Sequence, residues 1–227
     1  MAVLVRYLLT CMTLDLFKSM PMDKAAILLG PGALVLPGYL LGQDAAMLAA
    51  FEAVTRQAQL RHLTKPGGHS MSVATTNCGA LGWVSSQSGY SYSPTDPMTG
   101  QPWPDMPRAW QELAADAAGE AGYKNFKSDA CLVNQYQPGA KMGLHQDRDE
   151  QDFAQPIVSV SLGLPAVFLF GGLKRSDKAQ RVRLSDGDVV VWGGPTRLAF
   201  HGIAPLAGGE HPVWGARRIN LTFRCAG

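Results

Sequence analysis

From Ala130 to Arg224 the sequence is a succession of short β-branched runs broken by turn dipeptides. The runs Ile157–Leu162, Val167–Phe170, Val189–Trp192 and Ile219–Phe223 alternate with Pro138-Gly139, Gly171-Gly172, Asp186-Gly187 and Gly193-Gly194. Each Gly or Pro pair reverses the chain, and each run is too short for a helix. Short strands at regular intervals with no helix between them predict an antiparallel sandwich or jelly roll. Two helical patterns come earlier. From Asp44 to Leu60, the residues Met47, Leu48, Phe51, Val54 and Ala58 recur at helical spacing, with Asp44 as N-cap. A second helix takes Pro107 into its first turn, buries Trp110, Leu113, Ala114 and Ala117, and ends near Gly122. The fold class is therefore α+β, with helices first and a β core after.

A chain of 227 residues suits one domain with a sizeable core. Its net charge of +2 is too small to mark nucleic-acid binding, which would need a local basic patch. Cys11, Cys78, Cys131 and Cys225 form no C-x-x-C pair, and a chain this long needs no disulfide, so they read as reduced thiols of a cytoplasmic protein. The opening MAVLVRYLLTCM is too short to span a bilayer and is followed by no small-residue cleavage site. Residues 1–20 read as an N-terminal extension, with Met12 as an alternative start. Nothing in the sequence demands a membrane or more than a monomer.

Between the helical patterns lies a segment rich in Gly, Ser, Thr, Pro and aromatics, with short strand-like pieces such as Met71 to Thr76. Irregular segments of this length are uncommon unless they cover a site, although composition alone describes a surface meander.

His145 and Asp147 stand two apart in GLHQDRD, so in extended backbone both side chains leave the same face. Alone, such a pair describes a solvated loop. His201, 56 positions later and just after VVVWGG, offers a third ligand. Two His and one carboxylate form a facial triad that leaves positions open on non-haem iron(II), and zinc has the same ligands open to it. The segment Arg218 to Arg224 puts Arg218, Asn220, Thr222 and Arg224 on one face and Ile219, Leu221 and Phe223 on the other. An ordinary strand would hold that polar face in water. A second strand, Cys131 to Tyr136, presents Leu132, Asn134 and Tyr136 and leads into the His-x-Asp pair. Arginines turned into an interior need anions to meet them, and a dicarboxylate held by guanidinium forks beside Asn and Tyr donors satisfies that need. Metal and anion pocket together imply 2-oxoglutarate.

With NQYQPGAKMGLHQDRDE, PIVSVSLGLPAVFLFGG, DGDVVVWGG, FHGI and RRINLTFR in order, the chain resembles the AlkB family of nucleic-acid dealkylation dioxygenases, bacterial type. LGW and GYSYSP match as well, and the resemblance runs from about Lys65 to Arg224. It implies a double-stranded β-helix (jelly-roll) core within a single dioxygenase domain, residues 21–227, with residues 62–106 as a nucleotide-recognition lid. It implies Fe(II) held by His145, Asp147 and His201, with 2-oxoglutarate and O2 as cosubstrates. Asn134, Tyr136, Arg218, Asn220 and Arg224 match the 2-oxoglutarate pocket, Arg218 with Asn134 and Tyr136 at the distal carboxylate and Arg224 nearer the keto acid. Trp83 matches the ring that stacks on a flipped base, Tyr90 a contact to substrate, Asp149 an acid near the exocyclic amine, and Arg175 a pocket-edge residue. By themselves these read as a core Trp, a surface Tyr and solvated charges. Gly143 and His69 depart from the pattern and bear on lid and substrate preference.

The reaction so implied removes methyl groups oxidatively from N1-methyladenine and N3-methylcytosine. DNA is the main substrate, single-stranded or weakened by the lesion, and RNA is accepted to a degree. Candidates for the backbone contact are Arg61, Lys65, Lys141, Arg148, Lys174, Arg175, Lys178 and Arg181. The alternatives are a 2-oxoglutarate hydroxylase of a protein or small molecule, and an inactive jelly-roll binding module.

Overall fold

The computed structural model describes residues 25–227 apart from Pro66 and Ser88. The N-terminal extension at residues 1–20, with Met12, lies outside the described residues. The chain opens with strands β1 (Ile27–Gly30) and β2 (Ala33–Leu36), helix α1 (Asp44–Gln57), β3 (Arg61–Thr64) and β4 (Ser70–Gly79). A hairpin of β5 (Gly82–Ser86) and β6 (Gly89–Ser93) leads to helix α2 (Arg108–Glu120). Next come β7 (Ala130–Tyr136), β8 (Met142–His145), β9 (Ile157–Gly163), β10 (Ala166–Phe170) and β11 (Gln180–Leu184). The last strands are β12 (Val189–Trp192), β13 (His201–Ile203) and β14 (Arg218–Arg224).

An eight-stranded sheet runs β1-β2-β12-β9-β14-β7-β4-β3 and faces a four-stranded sheet, β11-β10-β13-β8. The β5–β6 hairpin stands apart as a sheet of its own. All strand pairs are antiparallel, the arrangement of a double-stranded β-helix. The β core starts at Ile27, ahead of both helices, so the order of helices first and strands after is corrected. The β1–β2 hairpin was legible in principle, since Pro31-Gly32 parts two apolar runs, and Gly32 takes φ +74°, the conformation that favours glycine. The segment before α2 is also more regular than its composition suggests. Within it β4 spans ten residues and pairs with β7 in the large sheet.

Both helices form where the apolar spacing places them. Met47, Phe51 and Val54 of α1, and Trp110, Leu113, Ala114 and Ala117 of α2, join one core cluster with Val133, Val158, Leu221 and Phe223 of the large sheet. Asp44 is not the N-cap. Gln43 holds that position, and Asp44, in the first turn, accepts the indole N–H of Trp214 at 2.8 Å. A carboxylate there still suits the positive end of the helix. A second core cluster fills the space between the sheets, with Val73, Ile157, Phe168, Phe170, Trp192 and Ile203.

Strand β14 lies between these two cores, and all seven of its residues are buried. Its apolar alternates meet the helices, while Arg218, Asn220, Thr222 and Arg224 turn inward between the sheets. An ordinary strand with its polar face in water is thereby excluded. On the opposite sheet, β13 approaches β8 so closely that a Cβ on Gly202 would sit 2.6 Å from the Met142 carbonyl oxygen. No helix of the described residues is long and apolar enough to cross a membrane.

Candidate active site

His145 ends β8 and His201 opens β13, and the two are directly paired across the small sheet, with rings 4.4 Å apart. Asp147 follows two residues beyond the strand. Its Oδ1 lies 3.6 Å from His145 Nε2 and its Oδ2 3.8 Å from His201 Nε2. One ligand atom from each of the three residues falls within 4.8 Å of the others. His145 Nδ1 meets the Gly143 carbonyl at 2.9 Å and His201 Nδ1 the Ala199 carbonyl at 3.0 Å. A carbonyl only accepts, so each Nδ1 carries the proton and each Nε2 lone pair turns to the shared point. Burial, with His145 adding to it, pushes His201 down to about 4, so no proton needs displacing from it at neutral pH. Burial alone would raise Asp147, but Arg224 and then the two histidines hold its carboxyl well below the usual range.

Asp44, Asp186 and His211 also bring ligand atoms within 4.8 Å of one another. There, however, His211 Nδ1 accepts the backbone N–H groups of Val213 and Trp214 at 3.3 Å. The proton is left on Nε2, where a ligand lone pair would be required. The chemistry of the donors favours the first group.

Behind the triad the inward face of β14 holds two arginines with unpartnered N–H donors. Arg218 is 1% exposed and its guanidinium lies over the Tyr136 ring at 5.0 Å. Nη2 donates to Ser161 Oγ at 3.0 Å, while Nε and Nη1 have no partner. Asn134 Oδ1 and Arg224 Nη1 are likewise buried and unpartnered, and the Tyr136 hydroxyl lies beside the Arg218 guanidinium and 3.8 Å from the Met142 thioether. Desolvation pushes the Arg218 pKa down from its ordinary value, as expected for a cation lacking its anion. Orphaned donors on two arginines fit a dicarboxylate between them, and amide rotation at Asn134 turns a donor to it. Asn220 differs. Its amide is already held by Ser159 Oγ, the Val160 carbonyl and the Thr222 hydroxyl, so it reaches the cavity as a wall.

At the mouth, Trp83 and Tyr90 stack with centroids 4.8 Å apart, and Trp83 Nε1 donates to Asp149 Oδ2 at 2.9 Å. Arg175 donates to the Leu144 carbonyl at 2.6 Å and lies over the Phe200 ring. The triad, Asn134, Tyr136, Arg218, Asn220, Arg224, Trp83, Tyr90, Asp149 and Arg175 all line one cavity of about 650 Å³. A larger hollow, about 900 Å³, lies behind the hairpin beside β3 and contains none of the metal ligands.

Two basic candidates are corrected. Arg61 is closed in a bidentate pair with Asp96, at 2.6 and 2.7 Å, and is not free for a phosphate. Arg181 leaves the face of β11 opposite Val182 and Leu184, which pack into the inner core, so it points away from the cavity. Sequence reasoning also missed residues. Trp192 places its ring 4.8 Å from His201, and a buried network of Tyr92, Glu150 and Arg197 adjoins Arg224. The aromatic ending VVVW was a signal for the first; Arg197 had none.

A double-stranded β-helix with a His-Asp-His triad at its open end and an arginine-lined anion pocket behind it defines an iron(II)- and 2-oxoglutarate-dependent dioxygenase. The family model described as 2OG-Fe(II) oxygenase superfamily matches residues 32–224. The chain is 53% identical over 199 residues to the alpha-ketoglutarate-dependent dioxygenase AlkB of Escherichia coli (strain K12), covering 88% of this chain and 92% of that protein. With the AlkB homolog of Caulobacter vibrioides it shares 46% over 198 residues, 86% of this chain and 88% of that one. The solved structure of OsALKBH1 superposes with a TM-score of 0.78 at 29% identity, over 88% of this chain and 99% of that chain. The chain belongs to the AlkB family, bacterial type, and uses Fe(II), 2-oxoglutarate and O2.

Proposed function

We propose that the enzyme removes methyl groups from N1-methyladenine and N3-methylcytosine, in DNA with a preference for single strands, and in RNA as well. The observation that carries this reading is the mouth of the cavity, where the stacked face of Trp83 and the carboxylate of Asp149 adjoin each other above the triad. These methylated bases are flat cations near neutral pH, and an aromatic face beside a carboxylate favours such a cation over a neutral base. A base reaches a recessed site only after leaving its stack, which costs a few kcal/mol in duplex and least in single strands. The names of relatives, which include a Schizosaccharomyces pombe tRNA demethylase at 30% identity over 133 residues, support a nucleic-acid substrate.

In this reading His145, Asp147 and His201 hold the iron. Arg218, with Asn134 and Tyr136, binds the distal carboxylate of 2-oxoglutarate, and Arg224 turns to the keto-acid end beside Asp147. Iron with its cosubstrate supplies the oxygen chemistry: 2-oxoglutarate leaves as succinate and CO2, and the hydroxylated methyl is lost as formaldehyde. Trp83 and Tyr90 orient the base, Asp149 takes its exocyclic amine, Arg175 guards the edge, and residues 62–106 serve as the lid. Three free cysteines among the described residues fit the reducing cytoplasm proposed for it.

The test is anaerobic loading with iron(II) and 2-oxoglutarate, followed by O2 and a single-stranded oligonucleotide carrying one N1-methyladenine, read by mass. Loss of one methyl, dependent on 2-oxoglutarate, is expected. Succinate without demethylation would move the substrate to a protein or small molecule. Neither product, from folded iron-loaded protein, would leave a binding module.

A further inference from the structure

Trp83 and Tyr92 oppose each other across the β5–β6 hairpin. Consecutive acids on the loop that follows Asp147 hold them, one each. Trp83 Nε1 donates to Asp149 Oδ2 at 2.9 Å, and the Tyr92 hydroxyl donates to Glu150 Oε1 at 2.7 Å. The two bonds are unequal. Asp149 is exposed, so water competes for the first.

Glu150 is 6% exposed and sits inside a charged network. Its Oε2 accepts from Arg197 Nη2 at 3.0 Å, and its Oε1 also meets Arg224 Nε at 3.2 Å. Arg197 is fixed by the Asp147 and Gln155 carbonyls, and Arg224 grips Asp147 Oδ2 through Nε and Nη2. Burial pushes the Tyr92 phenol far above its ordinary value, with Glu150 and Asp147 adding to the shift against the pull of Arg224, so it stays a donor. Hairpin, cosubstrate clamp and metal ligand thus form one bonded chain through Glu150.

We propose that the Tyr92–Glu150 bond is the fixed pivot of the lid and the Trp83–Asp149 bond the latch that opens when a base enters. Tyr92 and Glu150 are then positioning residues that set the Trp83 ring over the metal ligands. The latch rests on the base-demethylation reading: an arriving base stacks on Trp83 and offers Asp149 its own amine in exchange. Glu150 lines the same cavity, but its two oxygens are already taken by Tyr92, Arg197 and Arg224, so an arriving base finds no free acceptor there.

The pivot is tested in the full chain by hydrogen exchange of β5 and β6, with iron(II) and 2-oxoglutarate bound and oxygen excluded. Tyr92→Phe should speed exchange across the hairpin about tenfold, because a charge-assisted bond to the buried Glu150 is lost. Trp83→Phe, which loses an exposed bond, should change it less than about twofold. Glu150→Gln keeps an acceptor for Tyr92 and should fall between them. In turnover with the methylated oligonucleotide, Tyr92→Phe should make several times more succinate than formaldehyde. Equal exchange in the Tyr92 and Trp83 variants, or equal amounts of succinate and formaldehyde from Tyr92→Phe, would overturn the proposal. If the unmodified enzyme makes succinate but no formaldehyde, the substrate reading fails, and the exchange result alone decides the pivot.

Discussion

Arg218 is a full cation at 1% exposure with two nitrogens lacking partners, and a folding chain has no reason to tolerate that except for a ligand. Replacing a buried unmatched charge with an apolar side chain of similar volume is often neutral or stabilising. Arg218→Met should therefore raise the stability of the cosubstrate-free protein by about 1 kcal/mol or more, read by urea unfolding. The same variant should raise the KM for 2-oxoglutarate by about two orders of magnitude, since the anion would face no charged partner. A loss of stability with an unchanged KM would show Arg218 to be structural. At this scale the site was legible wherever chemistry and strand period coincide. Arg218 and Arg224 share a face by alternation, and His145 and Asp147 do so by their spacing. Glu150, Tyr92 and Arg197 were not legible, because their partners lie 58 and 47 residues away and only folding brings them together.

Among the elements, β8 and β13 decide whether the triad closes. His145 and His201 face each other only because the strands approach at Gly202, where β8 backbone occupies the space of a side chain. Gly202→Ala should part the strands, lowering stability by about 1–3 kcal/mol through overpacking. It should also weaken iron(II) binding by about tenfold or more, since ligand orientation is lost. Thermal unfolding and an anaerobic iron titration measure the two effects, and an unchanged iron affinity would mean the triad adapts. Strands β9, β10, β12 and β14 were legible because their apolar residues come in runs. Strands β8, β11 and β13 were not: MGLH, QRVRL and HGI carry mixed or small residues, and they exist because a neighbouring strand completes them.

For the whole molecule the net charge of +2 conceals a local asymmetry. Lys65, Lys141 and Arg175 line the cavity, with Arg148 and Lys174 exposed in the loops beside it. The KM for a methylated single strand should rise with salt, with a log–log slope of about 2 if about three phosphates are met. A flat profile would remove backbone contact from the account. The fold class was legible from helical spacing and turn spacing together, but strand order was not, because it depends on which distant segments pair.

That order has a consequence for how the enzyme comes into being. The central strand of the large sheet, β14, is also the last in the chain, and it brings both pocket arginines. During synthesis, His145 and Asp147 leave the ribosome well before the strand that encloses them, and contacts so distant in sequence form late. The metal ligands therefore precede in sequence the two arginines that complete the anion pocket, and that pocket exists only once β14 has paired with β7 and β9.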